Sequence, residues 1–120
     1  MKQITYLVFI VVAGAAACSN SEESEESENI CQENVTCPAQ AKTFDEVMAF
    51  DTCRNCHSTT VTNRQGAPAN INFDTAAGAL DDREEVLEEV NEGEMPPEPY
   101  ASSFSQDQRN EILAWICCGS

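Results

Sequence analysis

This 120-residue chain contains one histidine, His57, and only two lysines, Lys2 and Lys42. Aromatic residues make up 7 % of it, and nothing in it reads as a run of alternating strand residues. Each shortage excludes something. A single histidine rules out a Cys₂His₂ zinc centre, which needs two. With 6 Lys+Arg against 21 Asp+Glu the net charge is −15, and losing Lys2 with the leader makes it −16. Nucleic acid is thereby excluded as a natural partner, and anionic lipid head groups repel the chain. The longest apolar stretch, Ile4 to Ala17, is 14 residues. As a helix it spans about 21 Å, short of the ~30 Å hydrocarbon core of a bilayer. The absence of strand patterning leaves an all-α fold.

The first 17 residues read as an export signal. Lys2 supplies the positive end, Ile4 to Val12 the apolar stretch, and Ala13-Gly14-Ala15-Ala16-Ala17 the small residues before cleavage. Small residues followed at once by Cys18 resemble the bacterial lipoprotein box, with Ala15 standing where leucine is usual. That resemblance implies lipidation of Cys18 and, with Ser19 in place of aspartate, anchorage to the outer membrane on the periplasmic side. Residues 18–36 are then the lipidated cysteine and a tether. Its acidic run, Ser19 to Asn29, is expected to stay extended and solvated. Residues 37–120 form one small domain.

Fifteen carboxylates lie between Cys37 and Ser120, a charge that would steer a basic protein partner toward the domain, with strong dependence on ionic strength. The aliphatic and aromatic residues are few for a self-sufficient core, and small chains usually need covalent or cofactor staples.

Against this background stands Cys53-Arg54-Asn55-Cys56-His57. The order C-x-x-C-H is the attachment signature of c-type haem. Each thiol adds across one vinyl group, and the histidine that follows is held under the ring, where it can bind iron. A thioredoxin-like reading would want a βαβ context in a cytosolic protein, and neither is present. Of the seven cysteines, one goes to lipid and two to haem. Four remain: Cys31, Cys37, Cys117 and Cys118. An even number in an oxidising compartment implies two disulfides. Bridging the neighbours Cys117 and Cys118 is strained, so both are expected to join the N-terminal pair, with either connectivity open.

Three helix starts are written in the sequence. Thr43-Phe44-Asp45-Glu46 is a capping-box pattern, with Phe44, Val47 and Met48 on an apolar face that assigns Met48 to core packing. Asp81-Asp82-Arg83-Glu84 opens a helix with Val86, Leu87 and Val90 on one side, closed by Gly93 in a left-handed conformation. Ser105-Gln106-Asp107-Gln108 leads into Ile112, Leu113 and Ile116, with Gly119 as the stop. A shorter helical turn is expected over Thr75 to Leu80, weakened by Gly78. Met95 opens a stiff segment, Met95-Pro96-Pro97-Glu98-Pro99, in which the prolines forbid a helix.

Helix, C-x-x-C-H, a loop with Gly66-Ala67-Pro68, helix, Met95-Pro96-Pro97 and a terminal helix: this order is similar to that of class I cytochromes c, over roughly Cys37 to Gly119. The resemblance implies a helical domain around one covalently bound haem c, with thioether bonds from Cys53 and Cys56. Iron would be ligated by His57 and Met95. Pro68, eleven residues past His57, would lend its carbonyl to the other imidazole nitrogen. Trp115 would lie where the first and last helices cross. Two features depart from the family pattern: the four extra cysteines and the near-absence of lysine. The implied function is a monomeric one-electron carrier, not an enzyme in itself. A haem sensor with a labile sixth ligand and a haem-free disulfide-rich or zinc protein are the alternatives. Arg54 and Arg64 are candidates for haem propionates or surface ion pairs, and Tyr100 for a hydrogen bond near the haem.

Overall fold

The computed structural model describes residues 22–119; the expected export signal and the expected lipidation at Cys18 lie outside the described residues. Those residues form five α-helices and no strand. They are α1 (Glu22–Glu33), α2 (Phe50–Cys53), α3 (Ala76–Asp81), α4 (Arg83–Glu92) and α5 (Gln106–Cys118). The fold is all-α, and no helix among the described residues is long and apolar enough to cross a membrane.

α5 begins as its sequence dictates. Ser105 accepts from Gln108 N at 3.2 Å while the Gln108 side chain accepts from Ser105 N at 2.8 Å, a closed capping box. Ile112, Leu113, Trp115 and Ile116 then face inward. α4 buries Val86, Leu87 and Val90 and ends on Gly93 at φ +81°, a left-handed closure that L side chains resist. The turn over Thr75 to Leu80 is α3. Gly78 is required there, because a Cβ on it would meet the backbone oxygen of Asn72 at 2.5 Å.

Two stretches depart from expectation. The Thr43 capping box forms, yet it supports only one 3₁₀ turn, Phe44–Glu46, and Val47 at φ −86°, ψ 85° ends it. The helical register restarts at Phe50, so Val47, Ala49 and Phe50 turn inward and Met48 turns out, 66 % exposed. Met48 is thus a surface residue and not core packing. The acidic run, expected to be extended and solvated, is helical from Glu22 onward. In α1, Ser27, Ile30 and Cys31 recur at helical spacing, and the first two are buried where the helix packs on α4 and α5. The folded unit therefore starts before Cys37.

The disulfides explain why α1 stays. Cys31 bonds Cys117 and Cys37 bonds Cys118, with Cα separations of 5.4 and 5.6 Å, inside the usual range. Both neighbours on the last turn of α5 thus tie to the N-terminal pair. An aromatic cluster fills the centre: Phe44 and Phe50 each lie 5.3 Å from Trp115, and Phe50 lies 5.6 Å from Phe73. Trp115 is 5 % exposed and seats α5 against the Phe44–Cys53 segment.

Candidate cofactor-binding cleft

The short helix α2 brings Cys53 to its last turn, and the chain folds back at once, with Cys56 N and His57 N both donating to Cys53 O at 3.1 and 2.9 Å. This tight turn places Cys53, Cys56 and His57 along one wall of a cleft of ≈ 420 Å³. The stiff Met95-Pro96-Pro97 segment also lines it. Between them lie Ile71, Phe73, Val86, Val90, Phe104 and Ile112, which make the interior apolar. A volume of this order suits a small-molecule or cofactor site.

Among the described residues the only free cysteines are Cys53 and Cys56. Cys53 opens partly onto the cleft, and its thiol donates to Ala49 O at 3.8 Å. Burial pushes its pKa up to about 12. His57 is 9 % exposed. Burial lowers its pKa, so the ring is held neutral at physiological pH. Its plane is fixed twice, edge-on to Phe73 at 5.1 Å between centroids and by Nδ1 lying 3.3 Å from Ile71 O. The tautomer that carries its proton on Nδ1 donates to that carbonyl and leaves the Nε2 lone pair free for a metal.

The resemblance assigns that acceptor to Pro68. The structure gives the place to Ile71, three residues later. Gly66-Ala67-Pro68 is an exposed turn whose Pro68 carbonyl accepts from Arg64, whereas Ile71 is buried beside the imidazole. Phe73 N donating to His57 O at 2.8 Å holds the strand of chain there. Pro68 still lines the cleft.

Met95 is anchored through its backbone. Its N–H donates to Glu89 O at 3.1 Å, and its carbonyl accepts from the Arg109 guanidinium of α5, which also lies over the Phe104 ring. No sequence signal marks Ile71, Phe73 or Arg109; the fold brings the first two to the cleft and sets Arg109 behind Met95. Arg54 is committed elsewhere, donating to Phe73 O at 2.7 Å and pairing with Asp51. Tyr100 lines the cleft and accepts from Gln65 Nε2 at 3.3 Å, joining the loop on the His57 side to the loop on the Met95 side. Glu85, Glu89 and Glu98 add negative charge to the lining. The Glu89 carboxyl is raised by burial and by repulsion from Glu94, Glu85, Glu88 and Glu92.

No family model, curated protein or solved structure matches the chain.

The donor set fits one haem c. Two thiols three positions apart are left unpaired while the other four described cysteines are bridged. A neutral imidazole and a thioether line the same apolar cleft.

Proposed function

We propose that this protein is a one-electron carrier built around one covalently attached haem c. The observation that carries the reading is the single apolar cleft lined by the two unpaired thiols, the only histidine and Met95. Cys53 and Cys56 would hold the macrocycle, and His57 Nε2 and the Met95 sulfur would bind its iron. So ligated, the iron supplies a one-electron couple whose ferrous form the neutral thioether favours.

The chain's own part is positioning and exclusion of water. Phe73 and the Ile71 carbonyl orient the imidazole, and Arg109 with Glu89 O fixes where Met95 begins. The apolar lining would keep water from a metal bound there. The carboxylates of Glu85, Glu89 and Glu98 at the cleft suit a redox partner with a basic docking surface. The two disulfides suit an oxidising compartment such as the periplasm, in keeping with an exported protein held to the outer membrane by lipid at Cys18. They are equally compatible with a haem-free disulfide-rich protein, so the spectrum must decide.

The test is the visible spectrum and mass of the chain exported from cells that mature c-type haem. A Soret band, sharp α and β bands on reduction, a weak near-infrared sulfur–iron band and one added haem mass on the peptide spanning Cys53 and Cys56 are expected. A protein with no Soret band and no added mass sinks the reading. A five-coordinate spectrum that shifts with carbon monoxide would turn it into a ligand-binding module.

A further inference from the structure

The Arg64 guanidinium directs all five of its N–H groups at the chain around it. Nε donates to Ala67 O at 3.4 Å, and Nη1 to Ser58 O and Asn72 Oδ1, each at 2.9 Å. Nη2 donates to Ile71 O at 2.7 Å and to Pro68 O. Five donors in a rigid fork are the whole capacity of an arginine. None is left for an anionic group of a ligand, although Arg64 lines the cleft. Four of the acceptors are backbone carbonyls of the segment 58–71, which has no helix or strand to hold it in place.

One of those carbonyls belongs to Ile71, and the same oxygen lies 3.3 Å from Nδ1 of His57. A carbonyl has two lone pairs and can serve both donors. The guanidinium holds that oxygen in place beside the imidazole. Held there, it accepts from Nδ1, which gives the ring more imidazolate character and makes it a better donor to ferric iron.

We propose that Arg64 is the positioning residue of the His57 imidazole, its fork fixing the Ile71 carbonyl against Nδ1 and, by keeping that acceptor in place, holding the reduction potential of the iron down. The second half of this statement rests on the haem reading above; the first half does not.

The variants are Arg64→Lys, Arg64→Gln and Asn72→Ala, each made in the full exported chain. Lysine keeps the charge and loses the fork, and Asn72→Ala removes one acceptor while leaving the arginine. In spectroscopic redox titrations Arg64→Lys should move the equilibrium toward Fe(II) about tenfold, ~59 mV for a one-electron couple. Arg64→Gln should move it further. Asn72→Ala, which serves if the arginine variants do not fold, should move it the same way by less. A wild-type potential in Arg64→Lys, or in Asn72→Ala where that is the variant that folds, overturns the tuning role. The imidazole resonances of haem-free protein give a reading independent of iron. The Nδ1 proton of His57 should exchange slowly in the wild type and rapidly in Arg64→Lys or Asn72→Ala, and an unchanged rate overturns the positioning role. If the wild type takes up no haem, the haem reading fails on its own, and the exchange measurement still decides this one.

Discussion

At Met95 the backbone is fixed before the sulfur enters any chemistry, by Glu89 O on one side and the Arg109 guanidinium on the other. If haem is held as proposed, Met95→Ala should abolish the near-infrared sulfur–iron band and lower the potential, since a soft neutral ligand would be lost. Arg109→Ala should weaken the same band without removing the sulfur, read by the same spectrum. A further residue reports on folding alone. The exposed Asp74 carboxylate accepts from Thr59 N and Oγ1, each at 2.8 Å, and its pKa is lowered by the Ser58 and Thr59 hydrogen bonds. A depressed folded pKa means stability that is complete above the unfolded value near 3.9 and fades as pH falls through the lower folded one. Asp74→Asn should therefore be less stable than wild type in urea melts at pH 7, and the gap should close as the pH is taken well below 4. At this scale the sequence marked residues that line the cleft and was blind to their supports. Cys53, Cys56, His57 and Met95 are marked by spacing and by rarity. Ile71 and Arg109 are ordinary residues that matter through a carbonyl and a cation delivered by the fold.

Gly78 shows why propensity misleads inside an element. In an isolated helix, replacing glycine by alanine gains roughly 1 kcal/mol. Here the added methyl would lie 2.5 Å from Asn72 O, and that backbone runs directly from Ile71 beside the imidazole. Gly78→Ala should destabilise the protein by about 1–2 kcal/mol, the cost of overpacking against backbone that cannot yield, measured by chemical denaturation. Helix α5 was legible because a capping box leads into an apolar face, and α4 because an apolar face runs to a closing glycine. The segment after Thr43 was half legible. Its capping box formed, but the end of the turn at Val47 reset the angular register, and Met48 went to solvent. α1 was not legible at all, since Ser-Glu-Glu repeats carry too little apolar surface to signal burial. What orders it is a partner face on α4 and a covalent tie at Cys31.

Over the whole molecule the two bridges act as one clamp of unequal halves. Cys31–Cys117 and Cys37–Cys118 join positions 86 and 81 residues apart. In the chain-entropy account the first loop of that length to close stabilises by about 4–5 kcal/mol. The second then closes only the short ring through Cys31 to Cys37 and the adjacent pair on α5, which is worth about 2–3 kcal/mol. Replacing Cys37 and Cys118 by alanine should thus cost about 2–3 kcal/mol, and replacing all four cysteines more than twice as much, in guanidinium titrations of the purified protein. Equal costs for the two steps would mean that strain or residual structure, and not loop closure, sets the stabilisation. The all-α architecture and the joining of the two chain ends were legible from composition and cysteine parity. Which cysteine meets which was not, because Cys117 and Cys118 are interchangeable in a sequence and differ only in the direction each points from the last turn of a helix.

The burial of Cys53 bears on the order in which this molecule is assembled. Burial pushes its pKa up to about 12, so once the Phe50–Cys53 turn has formed this thiol stays protonated at pH 7, and the thiolate is the form that attacks disulfides and reacts with oxidants. In the folded protein Cys53 is therefore a poor entry point for thiol exchange. The same inertness cuts the other way: whatever machinery fastens a group to Cys53 must bring its own base, or act while the Phe50–Cys53 turn is still open.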